Sequence, residues 1–320
     1  MSRVSRRRFV ASAAAGASFT LLPRSATAAE YPTQAVKIVV PFSAGSMTDL
    51  LARVIADKLQ QRWSKEVIVE NRPGLGGTAS VAKVTADGHT LVLTSNGHTV
   101  ISHLNKNLSF DPMKDFVGVT QVAVTPLIMV IPPDSPAKNV KDLIEMARAK
   151  PGALNYSSAG LGSTTGIAGA LFKQTTNTDI VHVPFKGLPE THTAIIRGDV
   201  AMGFSFFAAA GDLILSGKVR ALAVTGRNRL SVLPDVPTFE EAGVPEFKYD
   251  SWFGILALAG TPKPIVAKIS QDIAQVLQMP EVKSRFEPQG AFLVSNSPEQ
   301  FEQILKNDAQ RYAGLFKESN

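Results

Sequence analysis

The chain has 320 residues, 44% of them hydrophobic and 19% charged, with no cysteine. That composition excludes disulfides, zinc–thiolate sites, a cysteine nucleophile and lipid anchoring through an N-terminal cysteine. Five of the 33 basic side chains (Arg3, Arg6, Arg7, Arg8 and Arg24) fall in the first 28 residues, which hold no acid, so 28 basic residues face 27 acidic ones beyond them. A near-neutral remainder lacks the basic face that nucleic-acid phosphates require, and no nucleic acid is expected as a partner.

The N-terminal stretch reads as an export leader. Ser5-Arg6-Arg7-Arg8-Phe9-Val10 sets paired arginines before a weakly apolar run to Leu22, and Ala26-Thr27-Ala28 supplies a small-x-small cleavage site. The twin arginines point to the twin-arginine route, with an ordinary secretory signal as the alternative. Either places the mature chain in the periplasm, cut near Ala28. The run is shorter than the roughly 20 apolar residues a membrane span needs.

Val36–Pro41 reads as a buried strand, and Leu50, Leu51, Val54, Ile55 and Leu59 put one apolar face on a helix over Asp49–Arg62. Val67–Val69 and Leu91–Leu93 are further strands, with a glycine-rich connection and a short helix between them. Helices are predicted at Val140–Ala149, Ser163–Gln174 and Pro189–Arg197. Strands are predicted at Leu154–Ser157, Ile180–Val183, Val200–Phe204 and Trp252–Leu258, and the segment Ala221–Val224 leads to a proline-rich loop over Leu233–Pro245. Helices Pro264–Leu277 and Pro298–Phe316 close the chain. This rhythm predicts mostly parallel sheets covered on both faces, and about 290 residues beyond the leader suit two domains.

Two segments have the chemistry of an anion site. Phe42-Ser43-Ala44-Gly45-Ser46, ahead of Thr48 and Asp49, follows a strand end; its small residues admit a ligand to the backbone, and Thr48 or Asp49 can cap the next helix. Free amides of a first helical turn, at the positive end of the helix dipole, attract an anion without arginine. Ser158-Ala159-Gly160-Leu161-Gly162-Ser163-Thr164-Thr165 repeats the logic in the second half. The same residues also make an ordinary strand–helix turn, but two such loops in two lobes can grip one anion from opposite sides. Ser95, Asn96 and His98 follow another strand end and join the candidates. Gly160-x-Gly162 lacks the third glycine of a dinucleotide fingerprint, and no phosphate-binding loop, G-x-S-x-G elbow or H-E-x-x-H is present. No nucleophile–base pair is visible, so no enzyme, cofactor or metal is expected. Phe204–Phe207 reads as core.

The motifs Ile38-Val39-Val40-Pro41-Phe42-Ser43-Ala44-Gly45 with Asp49, Val69-Glu70-Asn71-Arg72-Pro73-Gly74, Ala86-Asp87-Gly88-His89-Thr90-Leu91, Val183-Pro184-Phe185-Lys186-Gly187, Leu233-Pro234-Asp235-Val236-Pro237-Thr238 and Trp252-x-Gly254 run in order along the chain. In them the sequence resembles the receptors of tripartite tricarboxylate transporters, the Bug family of extracytoplasmic solute receptors. The resemblance implies an α/β Venus-flytrap of the periplasmic-binding-protein type, type II-like, with a ligand cleft between lobes: residues 29–130 with 252–320 in one, 131–251 in the other. It implies a monomer that holds a carboxylate between the loops at Phe42–Asp49 and Ser158–Thr165, adds Phe185, Lys186, Gly187 and Ser205 to the ligand-binding set, and delivers the ligand to membrane transporter subunits. Related readings are a sensing adaptor for a histidine kinase and, more remotely, a periplasmic enzyme.

The chain departs from that family at three places. Gly45-Ser46 replaces a glycine pair, Gly166 stands where a histidine is frequent, and Phe204-Ser205 ends a strand where an aspartate is frequent. Losing an acid able to pair with an ammonium favours a plain carboxylate or dicarboxylate over an amino acid. Phe185, where tyrosine is frequent, favours a ligand with an apolar body.

Overall fold

The computed structural model describes residues 31–249 and 251–316. The leader expected over residues 1–28 lies outside them. In the first half, strand β1 (Val36–Val40) leads to α1 (Met47–Trp63), β2 (Val67–Asn71), α2 (Leu75–Val81) and β3 (Thr90–Ser95). A 3-10 turn at Asn96–Val100 and α3 (Ile101–Leu104) precede β4 (Phe116–Val124). There follow β5 (Leu127–Ile131), α4 (Val140–Ala149), β6 (Leu154–Ser158), α5 (Thr164–Thr176), β7 (Ile180–Pro184), α6 (Leu188–Arg197), β8 (Met202–Phe206), α7 (Phe207–Leu215) and β9 (Arg220–Val224). The chain ends with β10 (Trp252–Leu258), α8 (Lys263–Leu277), α9 (Pro280–Phe286), β11 (Phe292–Leu293) and α10 (Pro298–Tyr312).

These strands form two sheets, ordered β11-β4-β10-β3-β1-β2 and β7-β6-β8-β5-β9. The expectation of mostly parallel sheets is corrected: β1 pairs in parallel with β2 and β3, but β10 is antiparallel to both β3 and β4. In the second sheet β6 is parallel to β7 and β8, while β5 is antiparallel to β8 and β9. The cause is connectivity. A strand entering a sheet from the other lobe starts at the shared edge, so it runs against strands that end there. β5 enters the second sheet that way, and β10 re-enters the first. The pairs Phe253–Ser95 and Trp252–Val124, and Leu127–Phe206 and Ile128–Val224, set that edge.

The outward crossing falls at Thr125–Pro126, ahead of the 130/131 boundary read from the sequence, because β5 pairs only within the second sheet. The Thr125 amide donates to Ser251 O at 2.9 Å, which ties the two crossing segments together. α1 and α8 cover one face of the first sheet with Leu51, Ile55, Ile269 and Ile273. Phe301 and Leu305 of α10 cover the other, beside Val39, Val92 and Trp252. The second lobe has an aromatic centre in which Phe204 lies 6.2 Å from Phe239 and 5.7 Å from Phe247. Tyr312 and Phe316 pack into that second core, so the C-terminal segment braces both lobes.

Asp272 joins α1 to α8: it accepts from Arg62 Nε at 2.6 Å, Trp63 Nε1 at 2.7 Å and Lys268 Nζ at 2.9 Å. Burial raises its pKa, but these donors outweigh it and hold the carboxyl below the ordinary 3.8. With the folded value depressed, this stabilisation is present above the unfolded value and is lost as pH falls through the folded one. Asp272→Ala strands three donors, all on partly exposed residues. It is expected to cost about 2 kcal/mol, or ~4 °C in Tm. The wild type and variant should converge in stability below pH ~4; a constant difference across an acid titration of urea unfolding would contradict this role.

Candidate ligand cleft

The edge shared by the two sheets collects the carboxyl ends of β1, β3, β6, β7 and β8, where ligands sit in open α/β sheets. The loop after β1 is organised from within. Ser46, and not Thr48 or Asp49 as the sequence suggested, is the N-cap of α1, its hydroxyl accepting the Asp49 amide at 3.3 Å. Asp49 instead turns back. One carboxylate oxygen accepts the Gly45 amide at 2.8 Å and Arg53 Nε at 3.0 Å, and the other accepts Asn71 Nδ2 at 2.9 Å. Burial opposes this charge, but the hydrogen bonds from Arg53, Gly45 and Asn71 keep the pKa below its usual value. Gly45 has φ +81°, a left-handed conformation that suits glycine. Ser43, Ala44 and Gly45 stay exposed, Phe42 and Ser46 are half-buried, and the first-turn amides of Met47 and Thr48 have no helical acceptor.

The loop after β6 has the same plan. Ser163 caps α5 by accepting the Gly166 amide at 3.1 Å, while its hydroxyl lies 2.6 Å from Gly160 O. Thr165 Oγ1 accepts the Ala159 amide at 3.1 Å, and Thr164 O accepts the Tyr249 hydroxyl at 2.9 Å. Ala159, Gly160, Gly162 and Ser163 remain half-buried at the surface. Gly160 has φ +102°. The loop presses onto α5 at Gly166, where an added Cβ would lie 2.3 Å from Gly160 O and 2.6 Å from Leu161 O. The Phe185 amide donates to Ser158 O at 2.9 Å, drawing half-buried Phe185 and Gly187 and exposed Lys186 to the same edge. Gly187 and Phe206 are the N-caps of α6 and α7, and neither helix has a side-chain cap.

Other expected residues have different places. His98 is buried in the first lobe: its Nε2 meets Pro112 O at 2.8 Å, its ring packs edge-on to Phe116, and desolvation pushes its pKa down to about 4. Asn96 is a hinge bracket: its Oδ1 accepts the Trp252 amide at 2.8 Å, and its Nδ2 donates to Asp308 at 3.3 Å. Ser95 is buried at the end of β3 opposite Phe253. The segment does approach the second lobe, since a Cβ on Gly97 would come within 2.5 Å of Gly162 O. Phe206, part of the stripe read as core, faces Phe253 of the other lobe at 6.1 Å.

Sequence reading missed two serine–histidine pairs that the second sheet assembles. Ser158 Oγ lies 2.7 Å from His182 Nε2, and Ser205 Oγ lies 2.7 Å from His192 Nε2. Burial lowers the pKa of both histidines, which favours the neutral rings. Each serine also reaches a carbonyl, Gly160 O at 3.0 Å and Phe206 O at 3.4 Å. A serine proton directed to a carbonyl leaves the imidazole to donate to Oγ. That is the opposite polarity to a general base activating a nucleophile.

Two sheets joined by two crossings, with small-residue loops and helix starts at their common edge, define a two-lobed solute-binding fold of the periplasmic-binding-protein class. Residues 51–320 match the tripartite tricarboxylate transporter family receptor, and the chain belongs to that family. It is 33% identical to Protein BugT of Bordetella pertussis, over 90% of each chain. Among solved structures it resembles R. palustris Rpa4515 with adipate: TM-score 0.78, 33% identity, 90% of this chain and 97% of the other. It also resembles MatC (Rpa3494) from Rhodopseudomonas palustris with bound malate: TM-score 0.77, 29% identity, 90% of this chain and 100% of the other.

Alanine normally stabilises a helix by about 1 kcal/mol over glycine. At Gly166 the added methyl meets fixed carbonyls, and overpacking of this kind costs about 1–3 kcal/mol. Gly166→Ala is expected to lower Tm by ~2 °C and to weaken ligand binding by displacing the loop. A rise in Tm with unchanged affinity would show that this contact does not shape the loop. Asp49→Ala should weaken binding by releasing the Gly45 amide, and crystallography of the variant should show the 43–46 segment moved.

Proposed function

We propose that the chain is a periplasmic receptor that captures a small carboxylate in the cleft, closes by hinge rotation, and passes the ligand to the membrane subunits of a tripartite tricarboxylate transporter. The observation that carries this reading is the matched pair of loops, Phe42–Asp49 and Ser158–Thr165. In each, hydroxyls and first-turn amides gather at a helix start. Asp49, the one acid in either loop, is held inward by Gly45, Arg53 and Asn71. An anion is therefore met by dipoles and not by opposing charge. Residues 1–28 act in this reading as the export leader. No helix among the described residues is long and apolar enough to cross a membrane.

Within carboxylates we favour a dicarboxylate. Relatives of about this similarity are described with adipate and with malate. Ser205, at the strand end where an acid could receive an ammonium, is paired with His192 instead. Closure would exclude water and strengthen each hydrogen bond to the anion.

The reading is tested by calorimetry on residues 29–320 against adipate, malate, aspartate and glucose. Adipate or malate should bind with a Kd near ~1 μM, and aspartate should bind more weakly. Ala44→Glu sets a like charge on the exposed loop and should weaken dicarboxylate binding ~30-fold, about 2 kcal/mol, with Tm unchanged. Preference for aspartate or glucose, or indifference to Ala44→Glu, would overturn it.

A further inference from the structure

A second concave region lies away from the two loops. A cavity of about 480 Å³ opens beside the hinge on the side covered by α10, and it contains no residue from 42–49, 95–98, 158–165 or 185–187. Its volume lies within the range of about 300–1,000 Å³ common to small-molecule sites. Both lobes contribute walls. Trp252 and Phe292 come from β10 and β11, Ile304, Asp308 and Arg311 from α10, and Arg227 from the loop after β9.

The floor is apolar and fixed. Trp252 packs edge-on to Phe301 at 5.1 Å, and its Nε1 donates to Asp308 Oδ2 at 2.7 Å. The same Asp308 oxygen takes the Asn96 amide, so this acid is engaged from within the protein. Burial, the largest influence on Asp308, raises its pKa. Phe292, by contrast, is 46% exposed, an aromatic left open to solvent on a two-residue edge strand. At the rim stand Arg227 and Arg311, both exposed. One of the Arg311 nitrogens donates to Lys248 O. Two guanidiniums against one inward-held acid give a positive mouth above an apolar floor. That arrangement complements a molecule with an anionic head and an apolar body.

We propose that this hinge cavity is a second binding site, distinct from the cleft, for a small carboxylate with an apolar body, its head between Arg227 and Arg311 and its body on Phe292, Ile304 and Trp252. The site is coupled to lobe movement. Its walls stand on both sides of the crossings at Thr125–Pro126 and Ser251–Trp252, so rotation about them changes the cavity. A molecule bound there favours the lobe orientation that forms the site, and linkage requires it to alter cleft affinity reciprocally.

The chain has two tryptophans, so Trp63→Phe leaves Trp252 as the single reporter. Benzoate and hexanoate, titrated through ~10 mM, should change its emission saturably. The change should survive Ala44→Glu and weaken at least tenfold in Arg227→Ala. Arg311→Ala should act in the same direction, but Arg227→Ala is the decisive variant because Arg311 also braces Lys248. Absence of a saturable change, or a change indifferent to Arg227→Ala, would overturn the proposal. Loss of the change with Ala44→Glu would assign the probes to the cleft and would also overturn it. Cleft binding of adipate or malate is read separately by calorimetry, so failure of this proposal is distinguishable from failure of the cleft reading.

Discussion

The chain crosses twice between its lobes, and that connectivity governs the rest of the architecture. β5 and β10 each begin at the shared edge and run against their neighbours. The strands they oppose therefore end there, and the loops leaving β1, β3, β6, β7 and β8 converge on one zone. Small movable loops alone would not make a site. The crossings give them a fixed frame through the Thr125–Ser251 hydrogen bond and the Asn96 clasp on Trp252.

Within that frame, the polar groups divide into those that build the loops and those left open. Asp49, Thr165, Ser163 and Ser158 spend their hydrogen bonds on neighbouring backbone or side chains. What remains toward solvent is small: Ser43, Ala44, Gly45 and the half-buried 159–163 backbone. In the proposed reading an anion would meet preorganised dipoles, which require no rearrangement when charge arrives. The buried His98 and His192 and the half-buried His182 fit the same pattern. Desolvation lowers their pKa values, and they serve as neutral hydrogen-bonding partners to serines or backbone.

The hinge also explains why one long helix contributes to several jobs. α10 covers the first sheet with Phe301, holds Trp252 through Asp308, and sends Tyr312 into the second core. Any rotation of the lobes must be accommodated along this helix and the two crossings. The cavity lined by Arg227, Arg311 and Phe292 lies beside that helix and those crossings.

Local pattern carried much of this protein. Apolar periodicity located α1, α4, α8 and most strands within a few residues, since it depends only on which side of an element is buried. The order of motifs placed the chain in its family and marked the two small-residue loops. β4 and β5 are not legible in the sequence, because the stretch from Phe116 to Ile131, interrupted at Gly118, Thr120-Gln121 and Thr125-Pro126, gives no sign that it passes from one sheet to another. The direction of β10 was equally hidden, as antiparallel insertion follows from where the chain re-enters and not from the residues of the strand. His98 looked like a cleft residue because it follows a strand end, yet its environment is set by Phe116 and Pro112, which folding brings from elsewhere in the sequence. The Ser158–His182 and Ser205–His192 pairs join residues 24 and 13 positions apart. Sequence thus determined the elements and the chemistry of the loops, which are local properties. Tertiary structure decided which polar groups are consumed internally and which face the cleft, because hydrogen-bond partners and desolvation are set by neighbours distant in the chain.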